Sequence, residues 1–134
     1  TNRANIARAS LESAVFAMRG GLEAFRKLGF QPKEIRLIGG GSKSSIWRQI
    51  AADIMNLPIR VPLLDEAAAL GGAVQALWCL KNQSGKCDIA QLCAEHIKLD
   101  ESKSTNPIAE NVAAYNKAYA EYDKIVKTLT PLYE

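Results

Sequence analysis

Histidine occurs once, at His96, with no second ligand nearby in sequence, so it reads as a helix-end or solvent residue rather than a metal or catalytic one. Cysteine is scarce as well. Cys79, Cys87 and Cys93 are odd in number and never spaced as CxxC, which excludes a disulfide framework and a zinc ribbon and implies reduced thiols. No long apolar run is present: residues 67–80 are interrupted by Gln75 and fall short of the roughly 20 residues that span a bilayer. The opening residues, Thr1-Asn2-Arg3-Ala4-Asn5, carry no initiator Met, apolar h-region or lipidation signal. The expectation is a cytoplasmic chain without a membrane partner. Arginine is missing from the second half, all seven residues lying between Arg3 and Arg60. Residues 1–60 hold ten Lys and Arg against four Asp and Glu, and residues 61–134 hold seven against ten. A positive first half suits an anionic ligand, but a sequence pI near 8.8 lies under the value of about 9 that makes nucleic acid the leading reading. A small phosphorylated ligand fits, and no nucleic-acid partner is expected.

The 134 residues, 48% hydrophobic and 23% charged, suit a single domain. Such a chain buries about two thirds of its unfolded surface and needs no staples. Leu11, Val15, Met18, Leu22 and Phe25 recur at spacings of four and three, predicting one face of a long first helix that Gly29 ends. Gly20-Gly21 inside that helix predicts a second backbone packed closely there. Residues 35–38 read as a short buried strand ended by Gly39-Gly40-Gly41. A second helix starts among residues 42–45 and runs through Trp47, Ile50, Ala51 and Ile54 to a stop at residues 56–58. Residues 58–62 read as a second strand with prolines at its ends. Asp65 or Glu66 caps a third helix through Leu70, Val74, Leu77 and Trp78, whose small residues 67–73 permit close packing. Residues 82–86 form a turn, and a short helix follows Asp88, with Gln91 at the capping-box position. Residues 98–106 are loop-like, and Asn106-Pro107 supplies N-cap and N1 for a last helix. Its stripe, Ile108, Val112, Tyr115, Tyr119, Tyr122, Val126, Leu129 and Tyr133, reads as core, not as a base-stacking platform.

The chemistry concentrates where a strand runs through Gly39-Gly40-Gly41-Ser42-Lys43-Ser44-Ser45 into a helix. Glycines let a ligand lie against main-chain amides, and a helix start offers free N–H groups and partial positive charge. Nucleotide or phosphate is the natural guest, although a Gly-rich turn also serves a strand that merely reverses over a helix. A P-loop is excluded because no Gly stands at Leu37 and Lys43 follows Ser42. A Rossmann fingerprint wants a third Gly where Ser44 stands and an acid where Val61-Pro62 stands.

These residues resemble the FGGY carbohydrate kinases. Asn5-Ile6-Ala7-Arg8-Ala9-Ser10-Leu11-Glu12 is similar to the closing half of the second family signature. Leu37-Ile38-Gly39-Gly40-Gly41-Ser42-Lys43-Ser44, with Trp47-Arg48-Gln49-Ile50-Ala51-Ala52-Asp53, is similar to the adenosine motif and its helix. Leu57-Pro58-Ile59-Arg60-Val61-Pro62 and Glu66-Ala67-Ala68-Ala69-Leu70-Gly71-Gly72-Ala73 resemble the next strand and helix. The tail, with Tyr115, Tyr119, Tyr122 and Pro131-Leu132, resembles more specifically the end of the xylulokinases.

The resemblance implies an α/β fold: a partial actin-like, ribonuclease H-like ATPase domain, helix-rich, with short parallel strands flanked by helices. It implies ATP as ligand, contacted by Gly39, Gly40, Gly41, Ser42 and Ser45, with Lys43 next. Mg²⁺ would be held mainly by, and the sugar contacts, the Asp-x-Gly-Thr segment and the catalytic base would come from, preceding parts of the chain that include an N-terminal sugar-binding domain and the first strands, so residues 1–134 are expected to be a C-terminal nucleotide-binding piece. No catalytic residue is assigned here, and Asp53 and Glu66 read as helix-surface or capping groups. The whole protein would phosphorylate a sugar, foremost D-xylulose to xylulose 5-phosphate. A gluconate, glycerol or ribulose kinase and a non-catalytic interaction module are the alternatives. Unpaired strand edges and uncovered apolar faces point to self-association, a homodimer, of the isolated piece.

Overall fold

The computed structural model describes residues 2–64 and 66–133. The order of elements is α1 (Arg3–Lys27), β1 (Ile35–Arg36), a 3₁₀ turn (Gly40–Lys43), α2 (Ser45–Met55), β2 (Ile59–Arg60), α3 (Ala67–Ser84), α4 (Ile89–His96), a 3₁₀ turn (Glu101–Lys103), α5 (Ala109–Leu129) and a 3₁₀ turn (Thr130–Leu132). The expected helix-rich α/β arrangement is present. β1 and β2 run parallel, with Ile35 opposite Ile59 and Arg36 opposite Arg60.

Helix α1 starts where Asn2 accepts the Asn5 amide at 2.9 Å. It stops in a Schellman turn: Phe30 N–H reaches Phe25 O at 3.2 Å and Gly29 N–H reaches Arg26 O at 3.0 Å. Gly29 takes φ +90°, which a glycine adopts freely. The Phe25 and Phe30 rings close that turn edge to face, 5.9 Å apart. The predicted apolar stripe of α1 is only partly the core face. Val15 and Phe16 are buried and Leu22 packs against the core, whereas Met18, Phe25 and, more mildly, Leu11 are exposed. The face turned inward carries Arg19 instead. Its guanidinium lies 4.3 Å from the Tyr119 ring centroid and donates to Ile54 O and Asn116 Oδ1, both at 2.8 Å. An arginine thus fills part of the inward face, its stem apolar and its head hydrogen-bonded, with Glu23 3.6 Å from its Nε. Among the described residues no second backbone packs at Gly20-Gly21. A Cβ on Gly20 would meet the Tyr119 hydroxyl at 3.7 Å, and one on Gly21 would meet nothing within 4 Å.

The core gathers around α2, whose Ile50, Ala51, Ala52, Ile54 and Met55 join Val15, Phe16, Leu37, Leu57, Ile59 and Val61. The middle of the α5 stripe completes it: Tyr115, Tyr119 and Tyr122 surround Phe16 at centroid distances of 6.1, 6.0 and 5.4 Å. The ends of that stripe, Ile108, Val126, Leu129 and Tyr133, are exposed. Helix α2 ends at Asn56, whose φ of 50° is left-handed.

Four sequence expectations are corrected. Residues 98–106 are not a free loop, because they cover the outer edge of β2: Thr105 exchanges hydrogen bonds with Ile59 at 2.8 and 3.0 Å, and Asp100 N–H donates to Val61 O at 2.8 Å. The polar turn expected at 82–86 begins later, since α3 runs on to Ser84. Asp88 caps α4 by accepting the Ala90 amide, but Gln91 pairs with Glu95 at 3.0 Å and forms no capping box. Asn106-Pro107 does not cap α5, which starts after Ile108. A residue of another helix does so. Asp53 of α2, 1% exposed, accepts the Ile108 amide through Oδ1 and the Asn111 side chain through Oδ2, each at 2.8 Å. Its carboxylate thus satisfies donors at the positive end of α5. Of the two caps expected for α3, Glu66 holds the N-cap position without a side-chain hydrogen bond, and Asp65 lies outside the described residues.

Candidate functional site

The glycine loop leaves the C-terminal end of β1, the end at which open parallel sheets bind ligands. Gly39 has φ +78° and ψ −167°, a region reserved for glycine. Gly39→Ala is therefore expected to destabilise the fold by about 1–3 kcal/mol, measurable as a lower denaturation midpoint. Gly40 then opens one 3₁₀ turn, and α2 follows at Ser45, with Ser44 Oγ accepting the Trp47 amide at 3.2 Å.

The loop residues divide by exposure. Gly39, Gly40 and Ser45 are open to solvent, as is Lys43. A Cβ built on Gly39 or Gly40 meets nothing within 4 Å. Gly41 is half-buried, and its missing Cβ makes room for the Trp47 indole, which such an atom would approach to 2.8 Å. Ser42 is buried, its hydroxyl donating to Gly39 O at 2.7 Å. The five expected contact residues thus lie on one loop and the helix start after it, with Gly41 half-buried, Ser42 buried and Gly39, Gly40 and Ser45 accessible.

Arg48, in the first turn of α2, was visible only as part of a motif. The residue is 8% exposed; its guanidinium donates to Ser42 O at 2.7 Å and leaves Nε buried without a partner. Beside the loop, Ile38 and Pro62 face Ala67, Leu70 and Gly71 of α3 across a cleft of about 220 Å³. The small residues of α3 therefore do not meet a close neighbour among the described residues; Gly71 and Gly72 have no atom within 4 Å of a Cβ position. A larger apolar hollow of about 310 Å³, between Leu22, Phe25, Phe30 and Pro32, has no titratable group in its lining and offers no chemistry.

The segment containing Arg8 and Glu12 serves to join α1 to α5. Arg8 Nε pairs with Glu12 at 2.7 Å, Arg8 Nη2 donates to the Tyr115 hydroxyl at 2.6 Å, and that hydroxyl donates to Glu12 at 2.6 Å. Burial, chiefly, pushes the Tyr115 phenol above its usual range, while hydrogen bonds to Tyr115 and Glu12 raise Arg8. His96 sits exposed in the last turn of α4.

Residues 1–80 match the C-terminal domain of the FGGY family of carbohydrate kinases. The chain belongs to this family. The FGGY assignment extends to solved structures: the ligand-bound xylulose kinase of Lactobacillus acidophilus superposes with a TM-score of 0.81 at 25% identity, over 93% of this chain and 24% of that one. A xylulose kinase of Haemophilus influenzae is 46% identical over 90% of the chain, and a ribulokinase of Bacillus licheniformis is 30% identical over 93%. The chain spans about a quarter of the length of these curated relatives, 24% and 23% respectively. The FGGY fold, with its short parallel strands among helices, is the one the glycine loop and its flanking blocks imply.

Proposed function

We propose that this chain is the C-terminal nucleotide-binding part of an ATP-dependent sugar kinase and that the whole protein phosphorylates D-xylulose to xylulose 5-phosphate. The observation that carries the reading is the open backbone at Gly39 and Gly40 ahead of the α2 N-terminus, where amides are free to face phosphate oxygens. Ser45, the first residue of α2, adds a hydroxyl at the same mouth. Gly41 and Ser42 act from behind, holding the loop open.

ATP supplies the transferable γ-phosphoryl group, and the acceptor is a sugar hydroxyl. Among the described residues no three His, Cys, Asp or Glu side chains converge. A Mg²⁺ ion would then be held by nucleotide phosphates and by groups outside these residues, so no step is routed through it here. The task of this chain is to bind and orient the nucleotide. Its partner in that task is a preceding sugar-binding domain of the same polypeptide, a reading supported by the chain's share of its relatives' length and by two features of the surface. β1 pairs with nothing but β2 among the described residues, and Ile6, Met18, Ile38, Ile46, Leu63 and Leu64 stand exposed. No helix among the described residues is long and apolar enough to cross a membrane. The dependence on ATP is what supports the cytoplasm as the enzyme's place of work.

The 46% identity to a xylulose kinase supports D-xylulose as the sugar. The similarity to a ribulokinase makes L-ribulose the competitor to test. Assayed with ATP and Mg²⁺ against D-xylulose, L-ribulose, gluconate and glycerol, the full-length polypeptide is expected to prefer D-xylulose in kcat/KM by about tenfold or more. Preference for another sugar overturns the substrate and leaves the kinase assignment standing; turnover of none overturns both.

A further inference from the structure

An arginine that is 8% exposed as a residue, with one hydrogen bond to a carbonyl, a buried Nε without any partner, and no carboxylate paired with it among the described residues, is an expensive group to keep inside a fold. Arg48 is in that position. Arg19, the other inward-facing arginine, also has a buried Nε without a hydrogen-bond partner but is otherwise better held: that Nε lies 3.6 Å from Glu23, the guanidinium makes two hydrogen bonds, and it lies over an aromatic ring. The cost at Arg48 falls directly behind the glycine loop, because Ser42, whose carbonyl it holds, is also the residue whose hydroxyl and amide fold back on Gly39 O at 2.7 and 3.1 Å. Two consequences follow from that placement. The hydrogen-bond chain Arg48 to Ser42 to Gly39 fixes the shape of the exposed backbone at Gly39 and Gly40. An uncompensated positive charge, shielded from water, also raises the potential on the outer side of that backbone.

We propose that Arg48 is the positioning residue of the nucleotide site: it locks the glycine loop from behind and supplies the standing charge that makes the loop prefer a phosphorylated ligand over a neutral one. This rests on the nucleotide reading of the loop. A through-space charge acts on the phosphates and leaves the uncharged nucleoside nearly untouched, whereas a collapsed loop weakens both. That difference separates the proposal from a merely structural role.

The experiment is calorimetric titration of the full-length polypeptide with ATP, ADP and adenosine, for wild type, Arg48→Gln and Arg48→Lys. Gln keeps a donor for Ser42 O without the charge; Lys keeps the charge. Arg48→Gln is expected to weaken ATP and ADP about tenfold while changing adenosine by less than about twofold, and Arg48→Lys to restore ATP to within about threefold of wild type. If the Gln variant does not fold, the Lys variant decides alone, by the same threefold expectation. Equal weakening of ATP and adenosine, or a Lys variant that loses ATP affinity beyond that limit, overturns the role of Arg48 with the nucleotide site intact. A wild-type protein that binds none of the three ligands overturns the nucleotide reading, and this inference with it.

Discussion

Gly41→Val is expected to abolish the ordered loop, lowering ATP affinity more than tenfold and stability by about 1–3 kcal/mol. The reason is local and steric. A Cβ at this position would sit 2.8 Å from Trp47 Nε1 and 2.9 Å from its Cδ1, inside any tolerable contact. The indole has little freedom to retreat, since Trp47 packs against the buried cluster of α1 and α2 and its amide is tied to Ser44 Oγ. Either the ring is pushed off the core or the loop is lifted from it, and both displace Gly40. Intrinsic fluorescence reads the outcome: the only other tryptophan is Trp78, so a Trp78→Phe background isolates the Trp47 signal. A Gly41→Val variant with unaltered Trp47 emission and unaltered ATP affinity would show that the indole does not brace the loop.

The second large effect is expected far from the loop. Asp53→Ala should cost about 3 kcal/mol, a substantial part of the 5–15 kcal/mol that holds an ordinary domain together. Asp53 is 1% exposed and receives three donors: Gln49 Nε2, the Ile108 amide and Asn111 Nδ2, each at 2.8 Å. Alanine removes the acceptor of the part-buried Ile108 amide and Asn111 side chain, and it removes a negative charge from the start of α5. Gln49 retains Asn106 O at 3.1 Å as an alternative, so the loss concentrates on α5. Asp53→Asn, which keeps the volume and one acceptor, should cost about half as much. Amide exchange at Ile108 is the direct readout. It accelerates if Asp53 anchors the helix and stays unchanged if the carboxylate is incidental.

Which parts of this structure are legible in the sequence follows from the range of the interactions that decide them. Both ends of α1 are local, Asn2 at one and Gly29 at the other, and Gly29 is the one the sequence pattern places. The buried face of α1 is not local. Apolar residues occur on several sides of that helix, so periodicity favours a stripe through Leu11, Met18 and Phe25 while the packing selects Phe16, because three tyrosines of α5 meet there. The cap of α5 shows the same limit. Asn106-Pro107 satisfies every local rule for a helix start, yet a carboxylate 55 residues upstream provides the cap, and no rule of spacing reaches that far. Residues 98–106 read as loop because they are polar, and their pairing with β2 is fixed by a backbone that composition does not describe. At the loop itself the position is plain from three consecutive glycines before a helix. Its inner construction is not: the burial of Ser42, the seat of the indole on Gly41 and the lone guanidinium of Arg48 emerge only once the chain is folded.

The central claim is that a nucleotide lies against the main chain at Gly40, and nucleotide titration of a Gly40→Val full-length polypeptide tests it most directly. A Cβ there meets no atom within 4 Å beyond its chain neighbours, so stability should stay within about 1 kcal/mol of wild type. The same side chain fills the space assigned to the ligand, and ATP affinity should fall more than about tenfold. A stable Gly40→Val protein that binds ATP as tightly as wild type would place the nucleotide elsewhere and contradict the account.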